Sequence, residues 1–357
     1  MPSALEQRLD TTRDRTLALV ADLSDEVVHE PLDPIMSPLV WDLAHIAAYE
    51  DLWAVHRLGG EPLLHEELAA TYDAFETPRD VRGDIELLDR PAALDYLEQV
   101  RARTLAVLDR TGPDELHELV LRHELQHTET MRQALFLGGL AGGSPDGLPA
   151  FPAEPEFVAI DGGEVLIGAN GHGFAYDNER PQHAERLTPF AIARTPVTNA
   201  TWLNFSEGGG YQRREWWSDE GWSWKQCYDI THPLGWTDGL APEAPVLHVS
   251  WFEADAFARS QGARLPTEVQ WERAATSNQL DGVGLAWEWT ATEFAGYPGF
   301  RAHPYKEYSE VFFGRGYRVL RGGSWATAAE VATPTFRNWD LPQRRQIFSG
   351  LRLVQEA

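Results

Sequence analysis

The chain has 357 residues, enough for two domains with separate cores. Thirty Lys plus Arg face 55 Asp plus Glu, a formal net charge of -25, which argues against nucleic acid and anionic membrane as partners because both need a positive footprint. No apolar run nears the roughly 20 residues of a membrane span, no basic-then-apolar leader is visible, and the single Cys227 cannot form an internal disulfide, so the sequence fits a reducing cytoplasm.

In chain order, apolar residues recurring every three or four positions predict helices over 4–23, 37–57, 91–110 and 114–138. Ser37-Pro38 reads as a helix start, serine at the N-cap and proline at the first helical position. Four helices of this length predict a bundle over residues 1–140. Residues 141–153, rich in Gly and Pro, break the periodicity and read as a linker. From 154 to 357 short apolar strands (Phe157-Val-Ala-Ile160, Val165-Leu-Ile-Gly168) alternate with glycine-rich turns, and the fold class is α+β. Two helices stand out there, one beginning at Ser250 with Glu253 three residues on, the other at Thr267 with Gln270 three residues on; both fit the reciprocal capping box. Twelve of the fourteen tryptophans lie in this second half, where large aromatics can fill a core that has few long elements.

The pattern with the most chemistry in it is His123-Glu-Leu-Gln-His127. Two imidazoles at i and i+4 share a helix face with Cβ atoms roughly 5–6 Å apart, close enough to meet one ion. His45, in an earlier apolar helix, can complete a three-histidine face if the two helices pack side by side. Gln126 falls beside His123 on the helical wheel, whereas Glu129 falls on another face and is a poor ligand. Such a donor set suits iron or zinc, and the residues alone leave open an oxygen-using iron enzyme, a zinc hydrolase or a non-catalytic metal-binding module.

Ser37-Pro-Leu-Val-Trp-Asp-Leu-Ala-His45, His123-Glu-Leu-Gln-His127-Thr-Glu129 and a second half containing Tyr176-Asp-Asn-Glu-Arg-Pro181, Gly262-Ala-Arg-Leu-Pro-Thr-Glu268, Trp287-Glu-Trp289, Arg321-Gly-Gly-Ser-Trp325, Tyr305-Lys-Glu-Tyr-Ser309 and Asn338-Trp-Asp-Leu-Pro-Gln-Arg-Arg345 together resemble the sulfoxide synthases of ergothioneine biosynthesis. The resemblance implies a DinB-like four-helix bundle followed by a C-type-lectin-like domain of the formylglycine-generating-enzyme kind. It implies an Fe(2+)- and O2-dependent enzyme that couples γ-glutamylcysteine to C2 of the hercynine imidazole. His45, His123 and His127 match the iron ligands, and Tyr305 matches the proton donor. Gln126, Tyr308 and Asn338 match positions that hold hercynine; Arg79, Arg82, Asp340 and Arg344 match positions that hold the thiol. A relative using cysteine or a selenosugar as donor is the nearest alternative. The chain departs from the resemblance between Ala275 and Trp287, where a compact loop replaces a longer insertion, and in the acidic setting of the arginine loop (Asp80, Asp84, Glu86). With one cysteine, the cysteine chemistry of formylglycine-generating enzymes is disfavoured, and sulfur has to come from a substrate.

Overall fold

The computed structural model describes residues 3–356 and divides into two compact units, Met1–Gly142 and Gly143–Ala357. In the first, α1 (Ala4–Ala18), α2 (Asp25–His29), α3 (Leu39–Glu50), α4 (Arg90–Thr111) and α5 (Glu115–Leu137) follow one another. The four longer helices make the bundle: α3 packs on α4 and α5, and α1 packs on α5. α3 carries apolar residues on nearly every face (Leu39, Val40, Trp41, Leu43, Ala44, Ile46, Ala47) and is correspondingly buried on nearly every face.

Three details of the helices differ from the sequence reading. α1 ends at Ala18 rather than at 23, because the chain tightens into turns whose amides reach back three residues, Leu19 to Thr16 and Val20 to Leu17. Ser37 does not cap α3. Pro38 occupies the cap position without a side-chain bond, and the Ser37 hydroxyl instead accepts from the Arg82 guanidinium at 2.9 Å. Past Glu50 the helix continues with the wider winding of a π-helix over Asp51–Leu58, a geometry common near functional sites.

Beneath α3 lies a buried charge network. Arg13 and Arg101 each bond both Glu50 and Glu124 at 2.7–3.2 Å, and the Thr16 hydroxyl donates to Glu124 at 2.8 Å. The four charges cancel and tie α1, α3, α4 and α5 into one register. Breaking such a set by removing one partner costs far more than the set itself contributes. Glu124 is the neighbour of His123, so the network also fixes the rotation of the helix that presents the histidine pair.

Among the described residues the second unit has three small sheets. β1 (Phe157–Ile160), β4 (Phe190–Ala193) and β9 (Val354–Glu356) form one in the order β1-β4-β9; β2 (Gly163–Ile167) pairs with β3 (His183–Leu187). The third has the order β7-β6-β5-β8 and is built from β5 (Trp287–Glu293), β6 (Arg318–Arg321), β7 (Asn338–Asp340) and β8 (Ser349–Gly350). Both expected capping boxes are present, opening α8 (Trp251–Ser260) and α9 (Glu268–Thr276). Two further helices went unread, α6 (Asn199–Glu207) and α7 (Asp219–Cys227), each capped by a hydroxyl, from Thr198 and Ser218.

The sequence motifs of this half have structural work. Arg321 pairs with Glu272, Arg337 with Glu268 at 2.7 Å and Arg352 with Glu288 at 2.8 Å, all buried. Gly323 sits at φ +83, and a Cβ there would come 2.6 Å from the Ala332 Cβ, so the second glycine of Arg321-Gly-Gly-Ser-Trp325 is obligatory. Among the described residues no tryptophan is exposed, and Trp202, Trp271 and Trp289 are fully buried, as core packing requires. Among the described residues, no helix is long and apolar enough to cross a membrane.

Candidate metal centre

His45 on α3 and His123 and His127 on α5 converge: one ring nitrogen from each lies within 4.8 Å of the others. Their ring centroids are 4.5–4.9 Å apart. Donors bound to one ion at about 2.1 Å sit roughly 3–3.5 Å from one another, so closing this triangle takes side-chain rotation of about an ångström. Among the described residues no carboxylate joins the cluster, and Glu129 is outside it.

The surroundings aim the rings. His45 donates from Nδ1 to the Tyr72 carbonyl at 2.6 Å, and His127 Nδ1 lies 3.1 Å from an Asp42 carboxylate oxygen. With both Nδ1 atoms engaged, the Nε2 lone pairs are left for a metal, which is how protein metal sites commonly fix the tautomer. Trp41 stacks on His45 with centroids 4.6 Å apart, and Tyr49 stacks on His123 at 3.6 Å. Burial, with a smaller push from the neighbouring histidines, lowers the His45 and His123 imidazoles well below their usual range. Both are therefore neutral at pH 7, the form that ligates. The residues present fit a metal ion. A cavity of about 90 Å³ adjoins His45, lined by Tyr49, His65, Tyr72 and Tyr96 among others, with room for several waters.

Of the other bundle residues singled out in the sequence, Gln126 is half-buried one helical turn beyond His123. Arg79 is exposed, with one bond to the Ile35 carbonyl at 3.2 Å. Arg82 is not a solvated loop arginine. It is buried, donates to the Thr77 and Ala74 carbonyls and to Ser37, and lies 3.5 Å over the Trp41 ring that stacks on His45.

In the second unit, Tyr305 precedes a short 3-10 turn, Lys306–Tyr308, and Tyr308 ends it, with the two ring centroids 6.3 Å apart and nearly perpendicular. Tyr308 stacks on Tyr176 at 4.4 Å and meets Trp339 edge-on at 5.7 Å. Trp339 is the middle residue of β7, so Asn338 and Asp340 on either side share the opposite strand face. Asp340 approaches Arg344 at 3.9 Å, the outer limit of an ion pair, and also accepts from the Leu341 amide at 2.7 Å. Tyr305, Tyr308 and β7 thus come together around one aromatic cluster.

Asp42, Trp41 and Tyr49 escaped the sequence reading as site residues. A signal for Asp42 was there: a carboxylate inside Leu39-Val-Trp-Asp-Leu-Ala-His45, in an otherwise apolar helix and three residues before a histidine, needs a partner to be buried.

Comparison with known proteins agrees with this architecture. Residues 8–139 match the DinB superfamily, and residues 146–281 and 278–357 match the sulfatase-modifying factor enzyme 1-like domain. The hercynine oxygenase of Mycolicibacterium thermoresistibile is 39% identical over 99% of this chain and 95% of its own length. The chain belongs to the hercynine oxygenase family. The hercynine oxygenase of Mycobacterium tuberculosis is 38% identical, with 99% of each chain covered. A formylglycine-generating enzyme from Streptomyces coelicolor is 34% identical but spans only 36% of this chain. Membership in the hercynine oxygenase family makes the chain an oxygenase, and the three-histidine cluster is its candidate metal site.

Proposed function

We propose that this chain is a nonheme iron(II)- and dioxygen-dependent sulfoxide synthase that joins γ-glutamylcysteine to C2 of the hercynine imidazole, acting in the cytoplasm. The observation that carries the reading is a cluster of three imidazoles, two of them held neutral by burial, with no carboxylate among its donors. Such donors suit iron, which when bound would supply the oxygen-activating redox chemistry that side chains lack, and three protein ligands leave coordination positions for small reactants.

The remaining roles fall to side chains. His45, His123 and His127 would hold the ion, with Asp42 and the Tyr72 carbonyl holding two of the rings. Tyr305 is the proton donor: a phenol gives up a proton only to a strongly basic acceptor, so it stays neutral until one forms. Tyr308, Asn338 and Gln126 bind hercynine, whose quaternary ammonium donates no hydrogen bonds and is best met by aromatic faces such as Tyr308 and Trp339. Asp340 and Arg344 bind the ammonium and carboxylate of the γ-glutamyl group, a zwitterion complementary to their side-by-side charges. Arg79, and the N–H groups of Arg82 not used by Thr77, Ala74 and Ser37, add positive charge for the thiol substrate's carboxylates.

The test is direct. Protein loaded with iron(II) is incubated in air with hercynine and γ-glutamylcysteine, cysteine or a selenosugar in turn, and products are identified by mass spectrometry. The expected result is a sulfoxide conjugate formed fastest with γ-glutamylcysteine. Preference for another donor would replace the thiol assignment, and full turnover of any substrate without oxygen would replace the reaction class.

A further inference from the structure

Ring stacking holds Tyr308, but the backbone that carries Tyr305 and Tyr308 needs its own anchor. They lie in an irregular stretch, residues 303–309, where no sheet ladder or long helix fixes the backbone. Asp177 meets that stretch at both ends. Its Oδ1 accepts from the Ser309 hydroxyl at 2.7 Å, and its Oδ2 accepts from the His303 amide at 3.2 Å. Asp177 and Ser309 are both buried. One carboxylate therefore closes the segment into a loop with the two tyrosines between its fastened ends, which removes much of the conformational freedom an irregular backbone would otherwise keep.

The short turn containing Asp177 is itself anchored. Tyr176, just before it, stacks face to face on Tyr308, with planes 8° apart. The Asn178 carbonyl accepts from Arg337 at 2.7 Å, one residue before β7, and Glu179 accepts from the Thr335 hydroxyl at 2.6 Å. Three consecutive residues thus bind the tyrosine segment on one side and the approach to β7 on the other. Burial raises the Asp177 carboxyl, and the bonds from the Ser309 hydroxyl and the His303 amide oppose that shift, one donor reaching each oxygen.

We propose that Asp177 is a positioning residue that clamps residues 303–309 and so sets Tyr305 for proton donation. This rests on the reading of Tyr305 given above, but the clamp can be measured apart from it. Asp177→Ala removes both bonds. Asp177→Asn can keep both in part, with its carbonyl oxygen facing the His303 amide and its amide group facing the Ser309 hydroxyl, which can turn to accept.

The experiment compares wild type, Asp177→Ala, Asp177→Asn, Ser309→Ala and Tyr305→Phe as full-length, iron-loaded protein. Amide hydrogen exchange of the 303–309 peptide and the ratio of coupled sulfoxide to oxidised thiol are both read. Asp177→Ala is expected to raise exchange in that peptide by about tenfold or more while peptides of the bundle keep wild-type rates. Its product ratio is expected to move in the same direction as that of Tyr305→Phe. Ser309→Ala, which loses one of the two bonds, should show a smaller change, and Asp177→Asn should restore much of both readouts. Wild-type exchange in a folded Asp177→Ala protein would overturn the clamp. Raised exchange with an unchanged ratio, where Tyr305→Phe does shift it, would overturn the positioning role. If neither Asp177→Ala nor Tyr305→Phe alters the ratio, the role of Tyr305 is wrong, and the exchange data alone decide whether the clamp exists.

Discussion

The two halves of the candidate machinery are held in different ways. In the bundle, the three imidazoles stand on two long helices, and two of the rings are fixed through Nδ1 by the Tyr72 carbonyl and Asp42. In the second unit, Tyr305, Tyr308, Asn338 and Asp340 stand on a 3-10 turn and a three-residue strand, held by side-chain clamps and ring stacking. Helical geometry positions ligands through a repeating backbone register. Irregular backbone has no register, so each functional side chain needs its own tether. The lesson is that damage in the bundle should appear as lost metal or lost stability, and damage in the second unit as misdirected chemistry.

Tyr305→Phe tests that division most strongly. It is expected to keep stoichiometric metal binding yet slow sulfoxide coupling by about 10²–10⁴-fold, diverting turnover to thiol oxidation, as measured by product analysis. An unchanged ratio would remove the proton-donor role.

Glu50→Ala probes the bundle's buried network. It leaves Arg13 and Arg101 sharing one carboxylate, and is expected to cost about 3–5 kcal/mol, visible as an early thermal transition. Acid should act in the same sense. Burial pushes the Glu50 carboxyl up, but Arg101 and Arg13 outweigh it and bring it down to about 2. A folded-state value below the unfolded one means that its stabilisation is fully present above about pH 4.5 and is lost as pH falls from there toward 2. Denaturant midpoints followed across that range should fall in the wild type and fall less in Glu50→Gln.

Asp42→Asn sharpens the comparison from the metal side. Loss of the carboxylate behind His127 is expected to weaken metal affinity by about 10–100-fold without altering the product ratio, checked by competitive metal titration. Arg344→Ala should have the smallest effect, about a tenfold rise in KM for the thiol with kcat retained in steady-state kinetics.

The same contrast explains what could be read from the residues. The four bundle helices and the His123/His127 pair follow from 3.6-residue periodicity, a local property of the chain. The Ser250 and Thr267 capping boxes are local too. Ser37 misled because a partner 45 residues away, Arg82, takes its hydroxyl. α6 and α7 were missed although Thr198 and Ser218 were available as caps, because their short, tryptophan-bearing sequences carry little periodic signal. The residues around Asp42 show that its carboxylate needs a partner but not which one, and nothing local marks Asp177, since their partners lie 85 and more than 120 positions away. Side-chain tethers across such separations belong to the fold.

The central claim is that His45, His123 and His127 hold one redox-active ion between them. Anaerobic titration of metal-free protein with iron(II), alongside His45→Ala and His127→Ala variants that retain wild-type helical content, measures it directly. One equivalent of iron bound by the wild type, and none held tightly by either variant, is the expected result. Equal binding by all three proteins, or no stoichiometric binding by the wild type, would contradict it.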